Sequence, residues 1–120
     1  MHTVVETQAF SRAAAGAGMS EVEIENLTTY LASNPTAGDE LKGTGGCRKI
    51  RVTARGKGKS GGYRVVTFYS GLDIPVFLLT AFSKGEKANL SKGERGALAD
   101  LTKELVASYQ KRVVAIGGGE

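Results

Sequence analysis

Three short runs of β character, Cys47 to Val52, Tyr63 to Tyr69 and Val76 to Phe82, follow one another with only brief connectors between them. Strands that close in sequence pair with their neighbours, so the spacing predicts an antiparallel meander. In the first run Ile50 and Val52 alternate with Lys49 and Arg51. Successive side chains of a strand point to opposite faces, so one face packs and the other is left cationic. The third run, broken by Thr80, is far too short to cross a bilayer and reads as a buried strand. A β-branched stretch from Thr3 to Thr7 predicts a further strand at the start. The expected class is α+β, a mostly antiparallel, twisted four-stranded sheet with helices packed on one side.

The helices are marked by local signals. Ala9 to Ala15 can start a first helix, which Gly16 and Gly18 interrupt. Ser20 and Glu23 have capping-box spacing, Ile24, Leu27 and Leu31 recur on one helical face, and Asn34-Pro35 ends that segment. Residues 37–46, with Gly38, Gly43, Gly45 and Gly46, read as a loop. Ser91 and Glu94 repeat the capping-box spacing ahead of Leu98, Leu101 and Leu105, predicting a final helix toward Arg112 and a flexible tail over 113–120. With no internal repeat or linker, a chain of 120 residues is expected to form one domain, its core at about 3–112.

Charge is strongly segregated. Between Glu40 and Asp73 there is no acid, yet Lys42, Arg48, Lys49, Arg51, Arg55, Lys57, Lys59 and Arg64 fall there, half of the 16 cations. The rest of the chain holds eight cations against all 12 acids, so a net charge of +4 conceals a concentrated positive field. Such a field suits a polyanion, nucleic acid first. The lone Cys47 excludes an internal disulfide, no Cys/His set has metal-ligand spacing, and the start lacks a signal-peptide pattern, so a cytoplasmic protein without metal or cofactor is expected.

Gly58-Lys59-Ser60 resembles the end of a phosphate-binding loop, but Thr53 stands where that pattern needs glycine, and a strand rather than a helix follows. The segment 53–62 reads better as a hairpin arm whose Arg55, Lys57 and Lys59 reach phosphates; the plainer alternative is a solvated loop that protects a sheet edge. A metal-free nuclease must position a 2′-hydroxyl, stabilise charge on phosphorus and protonate the departing oxygen. Lys49, Arg51 and Arg64 supply charge, and the planar fork of Arg64 suits phosphate. The single histidine, His2, reads as an exposed terminal residue, which removes a histidine acid/base pair. Neighbouring cations disfavour the charged form of a lysine, making Lys49 the candidate base. Lys84 and Lys87 follow the last strand and reach the same face unless Glu86 pairs with them. Tyr63, Phe68 and Tyr69 read as core aromatics, and Cys47 as a small buried hydrophobe.

Asn34-Pro35 with Ala37-Gly38-Asp39, Gly43-Thr44-Gly45-Gly46 before Arg48-Lys49-Ile50-Arg51, the 56–62 arm leading into Arg64-Val65, and Ser83-Lys84-Gly85-Glu86-Lys87 with Asn89-Leu90-Ser91 together resemble RelE/ParE-superfamily toxins, in particular the HigB-like branch of type II toxin-antitoxin systems. The resemblance spans roughly Val4 to Leu105. It implies the RelE-like, microbial-ribonuclease type of fold and a toxin that cuts messenger RNA in the ribosomal A site, without a cofactor. It further implies Lys49 as base or proton carrier, Arg64 as phosphate clamp, Arg51 as electrostatic support and Lys84 as a transition-state or leaving-group contact, with Arg48, Arg55, Lys57, Lys59 and Lys87 binding RNA and ribosome. Some relatives carry a catalytic tyrosine near the position of Leu90. Implied partners are a protein antitoxin of helix-turn-helix type, the ribosome and mRNA, and operator DNA through the antitoxin complex, with no membrane. The alternatives are a ParE-like gyrase poison and a noncatalytic nucleic-acid-binding module.

Overall fold

Side chains that cap helix ends also fasten the helices to the sheet. The computed structural model describes residues 2–53, 62–71, 74–85 and 89–118, with side chains as far as Tyr109. Strand β1 (Val4–Glu6) leads into helix α1 (Gln8–Ala17). The Thr7 hydroxyl accepts from the Phe10 N–H at 3.1 Å and donates to the Leu78 carbonyl at 2.7 Å, so one group caps α1 and ties it down. The helix runs through Gly16, contrary to expectation, and stops at Gly18, whose φ of 92° is the left-handed cap that glycine adopts without strain. Helix α2 (Glu21–Ser33) opens on the expected capping box, Glu23 N–H to Ser20 Oγ at 3.1 Å and Ser20 N–H to Glu23 Oε1 at 2.8 Å.

Strands β2 (Asp39–Glu40), β3 (Cys47–Val52), β4 (Tyr63–Phe68) and β5 (Val76–Ser83) complete one sheet of order β1-β5-β4-β3-β2. The β3-β4-β5 meander is as the sequence predicts, and β1 runs parallel to β5. The sheet has five strands rather than four because Asp39 and Glu40 pair with Lys49 and Arg48. Opposite charges facing one another across a ladder favour that short pairing, which a loop assignment misses.

The helices cover both faces, not one. Phe10, Ala14, Leu27 and Leu31 of α1 and α2 pack with Val65 and Leu78, whereas Leu98, Leu101 and Leu105 of α3 (Lys92–Gly118) pack with Val66, Phe68 and Leu79. Neighbours Val65 and Val66 are both fully buried, so the sheet is apolar on each side and needs cover on each. A bulge adds to this. Val66 pairs with Thr80 but Thr67 with Leu78, leaving Leu79 as the extra residue and the buried Thr67 hydroxyl without a partner among the described residues.

The expected second capping box forms, Ser91 N–H to Glu94 Oε1 at 2.8 Å and Glu94 N–H to Ser91 Oγ at 3.1 Å. The helix is continuous from Lys92 to Gly118. Nothing from Val113 to Ile116 breaks a helix. Two contacts clamp α3 to the loop before β3: Thr102 Oγ1 shares its one proton between the Ala99 carbonyl of α3 at 2.8 Å and the Thr44 carbonyl at 3.2 Å, and Arg95 Nη1 donates to the Lys42 carbonyl at 3.2 Å. The Thr44 hydroxyl in turn accepts from the Cys47 N–H at 3.1 Å.

Candidate nucleic-acid interface

Alternation along β3 assigns its charges to faces. Cys47 lies in the core beneath α3, and Ile50 and Val52 pack against the core beneath α1 and α2, so Lys49 and Arg51 share the α3 face. On β4, Val66 and Phe68 lie in the α3 core, which places Arg64 on that face too. Arg51 is directly opposite Arg64, and Lys49 is opposite Val66, two pairs further along. Three cations from two adjacent strands therefore share this face. Directly opposed side chains stand about 5 Å apart at Cβ and diagonal ones about 7–8 Å, a spacing that one or two phosphates can bridge.

The Lys49 ammonium donates to Asn89 Oδ1 at 3.4 Å, across 40 residues of chain. Asp39 is its cross-strand neighbour on the other side. The Arg64 guanidinium donates to its neighbouring Tyr63 carbonyl at 3.3 Å and lies over Gly62, where a Cβ would come within 3.9 Å of Nη1. Arg51 is exposed and makes no hydrogen bond or ion pair with a described residue. Lys84 follows β5, exposed, with its N–H bonded to the Gly62 carbonyl at 3.2 Å, so the backbone places it at the Arg64 end of the same edge.

Arg48 is not brought into this group. It lies on the opposite face, donating to the Gly38 carbonyl at 3.2 Å and pairing with Glu40 at 3.5 Å. The arm residues Arg55, Lys57 and Lys59, and Lys87 beyond β5, lie outside the described residues. His2 is half-buried rather than an exposed end, its ring edge-on to Tyr69 at 5.3 Å and its N–H bonded to the Ala32 carbonyl. Tyr69 is five residues past Arg64, about 17 Å along a strand, so the imidazole beside it is remote from Arg64. Tyr63 turns the other way and donates to the Gly18 carbonyl at 3.0 Å. Cys47 is fully buried; desolvation raises its thiol pKa, partly opposed by the hydrogen bond with Thr44, so a nucleophilic thiolate is disfavoured.

Asn89 and Asp39 are the neighbours that sequence reasoning did not assign to the site. Both fall within the motifs that suggest the family, but only the fold sets them beside Lys49.

Lys49, Arg51 and Arg64 thus concentrate positive charge on one face of the central strands of a small α+β fold. The family model for the RelE toxin of the RelE/RelB toxin-antitoxin system matches residues 2–118. The chain belongs to that family of toxins, and membership implies an antitoxin partner. Among the described residues no helix is long and apolar enough to cross a membrane.

Proposed function

We propose that this protein is a toxin that cuts messenger RNA on the ribosome, without a metal, and so arrests translation. The observation that carries the reading is the convergence of Lys49, Arg51 and Arg64 on one face, beside the Lys84 edge. In this reading the RNA's own 2′-hydroxyl attacks the adjacent phosphorus. A 2′-O–P bond forms, the bond to the 5′-oxygen breaks, and the products are a 2′,3′-cyclic phosphate and a 5′-hydroxyl. Lys49 carries the proton, Arg64 grips the non-bridging oxygens with its planar fork, Arg51 offsets the growing charge, and Lys84 meets the leaving oxygen. Lys57, Lys59 and Arg55 contribute contacts to ribosomal or message phosphates, as does Lys87; Arg48, tied to Glu40, contributes least.

The RelE family model and the order of the motifs support this reading, and the HigB-like motifs add a helix-turn-helix antitoxin whose complex with the toxin binds operator DNA. The setting is the cytoplasm, where ribosomes are found, and the 120 residues act as one domain. The test is induction in growing cells with and without the adjacent antitoxin gene, following transcript ends and gyrase-linked DNA breaks. Arrest with newly cut, ribosome-associated transcripts, relieved by the antitoxin, is expected. Arrest with intact transcripts and DNA breaks would instead indicate a ParE-like gyrase poison, and normal growth at soluble expression would remove the toxin assignment for this copy.

A further inference from the structure

The rows of paired residues that carry the cations do not end at β4. Arg51 faces Arg64, which faces Phe82 on β5; Lys49 faces Val66, which faces Thr80. At the β5 end of both rows, beneath the start of α3, a cavity of about 300 Å³ is lined by Thr80, Phe82, Leu90, Glu94, Leu98 and Leu101. Neighbouring strands are about 4.8 Å apart, so this cavity begins one strand spacing from Arg64 on the same face. Among the described residues its lining contains no lysine or arginine and one carboxylate, Glu94, one of whose oxygens is held by the Ser91 N–H. This mainly apolar lining suits a flat, neutral group better than a phosphate. The Thr80 hydroxyl, without a hydrogen-bond partner among the described residues, offers one donor and acceptor. The larger groove, between α2 and β3, is lined by Leu27, Tyr30, Ile50 and Val52 of the opposite face, with Arg51 at its border.

We propose that this cavity is a nucleobase subsite, holding one base of the RNA strand whose phosphate lies against Arg64 and Arg51. The inference rests on the RNA-cleaving reading and deepens it. The cations hold the backbone without regard to sequence, and the cavity beside Thr80 and Phe82 supplies a place where base identity is read. Thr80 and Phe82 reach it from β5 by the alternation of the strand, opposite Val66 and Arg64.

The experiment compares the affinity of the whole protein for a ribo-trinucleotide with that for the same trinucleotide made abasic at each position in turn, at low salt. One abasic position is expected to weaken binding about tenfold, the scale of a single seated base. Ala97, exposed on α3 at the cavity rim, allows the space to be filled from outside. Ala97→Trp should bind the intact trinucleotide as weakly as the abasic one, with affinity for the abasic one unchanged. Thr80→Val, nearly isosteric, should reduce preference among bases while leaving the abasic affinity alone. Equal binding of intact and abasic RNA, or no binding of either, overturns the subsite. So does an abasic penalty that persists in folded Ala97→Trp, or loss of antitoxin capture in that variant with RNA binding unaltered. Should Ala97→Trp fail to fold, an unchanged base preference in Thr80→Val overturns it instead. Transcript cleavage by wild-type protein on ribosomes, measured in parallel, tells failure of the subsite from failure of the nuclease reading.

Discussion

Arg51 and Arg64 face each other directly across β3 and β4, with both guanidinium groups on one side of the sheet and neither in an ion pair with a described residue. Like charges set directly opposite destabilise a ladder, and nothing in the core requires either cation at those positions. The pair makes sense as a site held ready for an anion.

A stability gain on removing one of the two follows. Arg51→Thr keeps a good strand former while ending the repulsion, and unfolding free energy should rise by about 0.5 kcal/mol, the scale of one cross-strand pair. The gain should shrink as salt is added, because exposed charges are screened. Urea unfolding at low and high ionic strength checks both statements; a loss of stability at low salt would mean that Arg51 supports the fold rather than the ligand.

The clamp between α3 and the loop before β3 yields a second expectation. Gly45 has a φ of 79°, and a Cβ there would come within 2.7 Å of Thr102 Oγ1. Gly45→Ala should destabilise by about 1–3 kcal/mol, from backbone strain plus displacement of the Thr102 hydroxyl. In a Thr102→Ala background the same change should cost less, since the clash is gone and only strain remains. Denaturation midpoints of the four proteins of that cycle decide it; equal costs in both backgrounds would place the whole effect in the backbone.

Burial of Cys47 gives stability a pH dependence of known sign. The folded thiol pKa is raised above 9.0, chiefly by desolvation. Well below that value both states hold the proton and the thiol does not favour unfolding. As pH rises through the unfolded thiol's range only the unfolded chain ionises, so stability falls. Between about pH 8 and pH 10, wild type should lose more stability than Cys47→Ala, and thiol reagents should label the native protein slowly near neutrality. Parallel pH profiles for the two proteins would contradict this.

What the sequence makes legible is what short-range rules govern. The boxes at Ser20/Glu23 and Ser91/Glu94 close over three residues, and the alternation of Lys49, Ile50, Arg51 and Val52 needs only the period of a strand, so helix starts and the faces of β3 can be read directly. The parallel pairing of Val4 with Val76 and the bond from Lys49 to Asn89 depend on where distant segments end up. No local pattern announces them. Two-residue β2 is set by charge across a ladder, and cover on both sheet faces by the burial of Val65 and Val66 together, neither of which a one-sided reading of β3 discloses.

Arg64 is the residue on which the account turns, standing between Arg51, Phe82 and Gly62 at the centre of the cationic face. Single-turnover transcript cleavage with saturating programmed ribosomes, run beside a thermal melt, is the most direct measurement. Arg64→Ala should stay folded, keep most ribosome affinity and lose about two to three orders of magnitude in rate, as expected when one well-placed charge donor is removed. Arg64→Lys should recover little, because an ammonium lacks the bidentate geometry. A folded Arg64→Ala protein that cuts at the wild-type rate would contradict the proposed site.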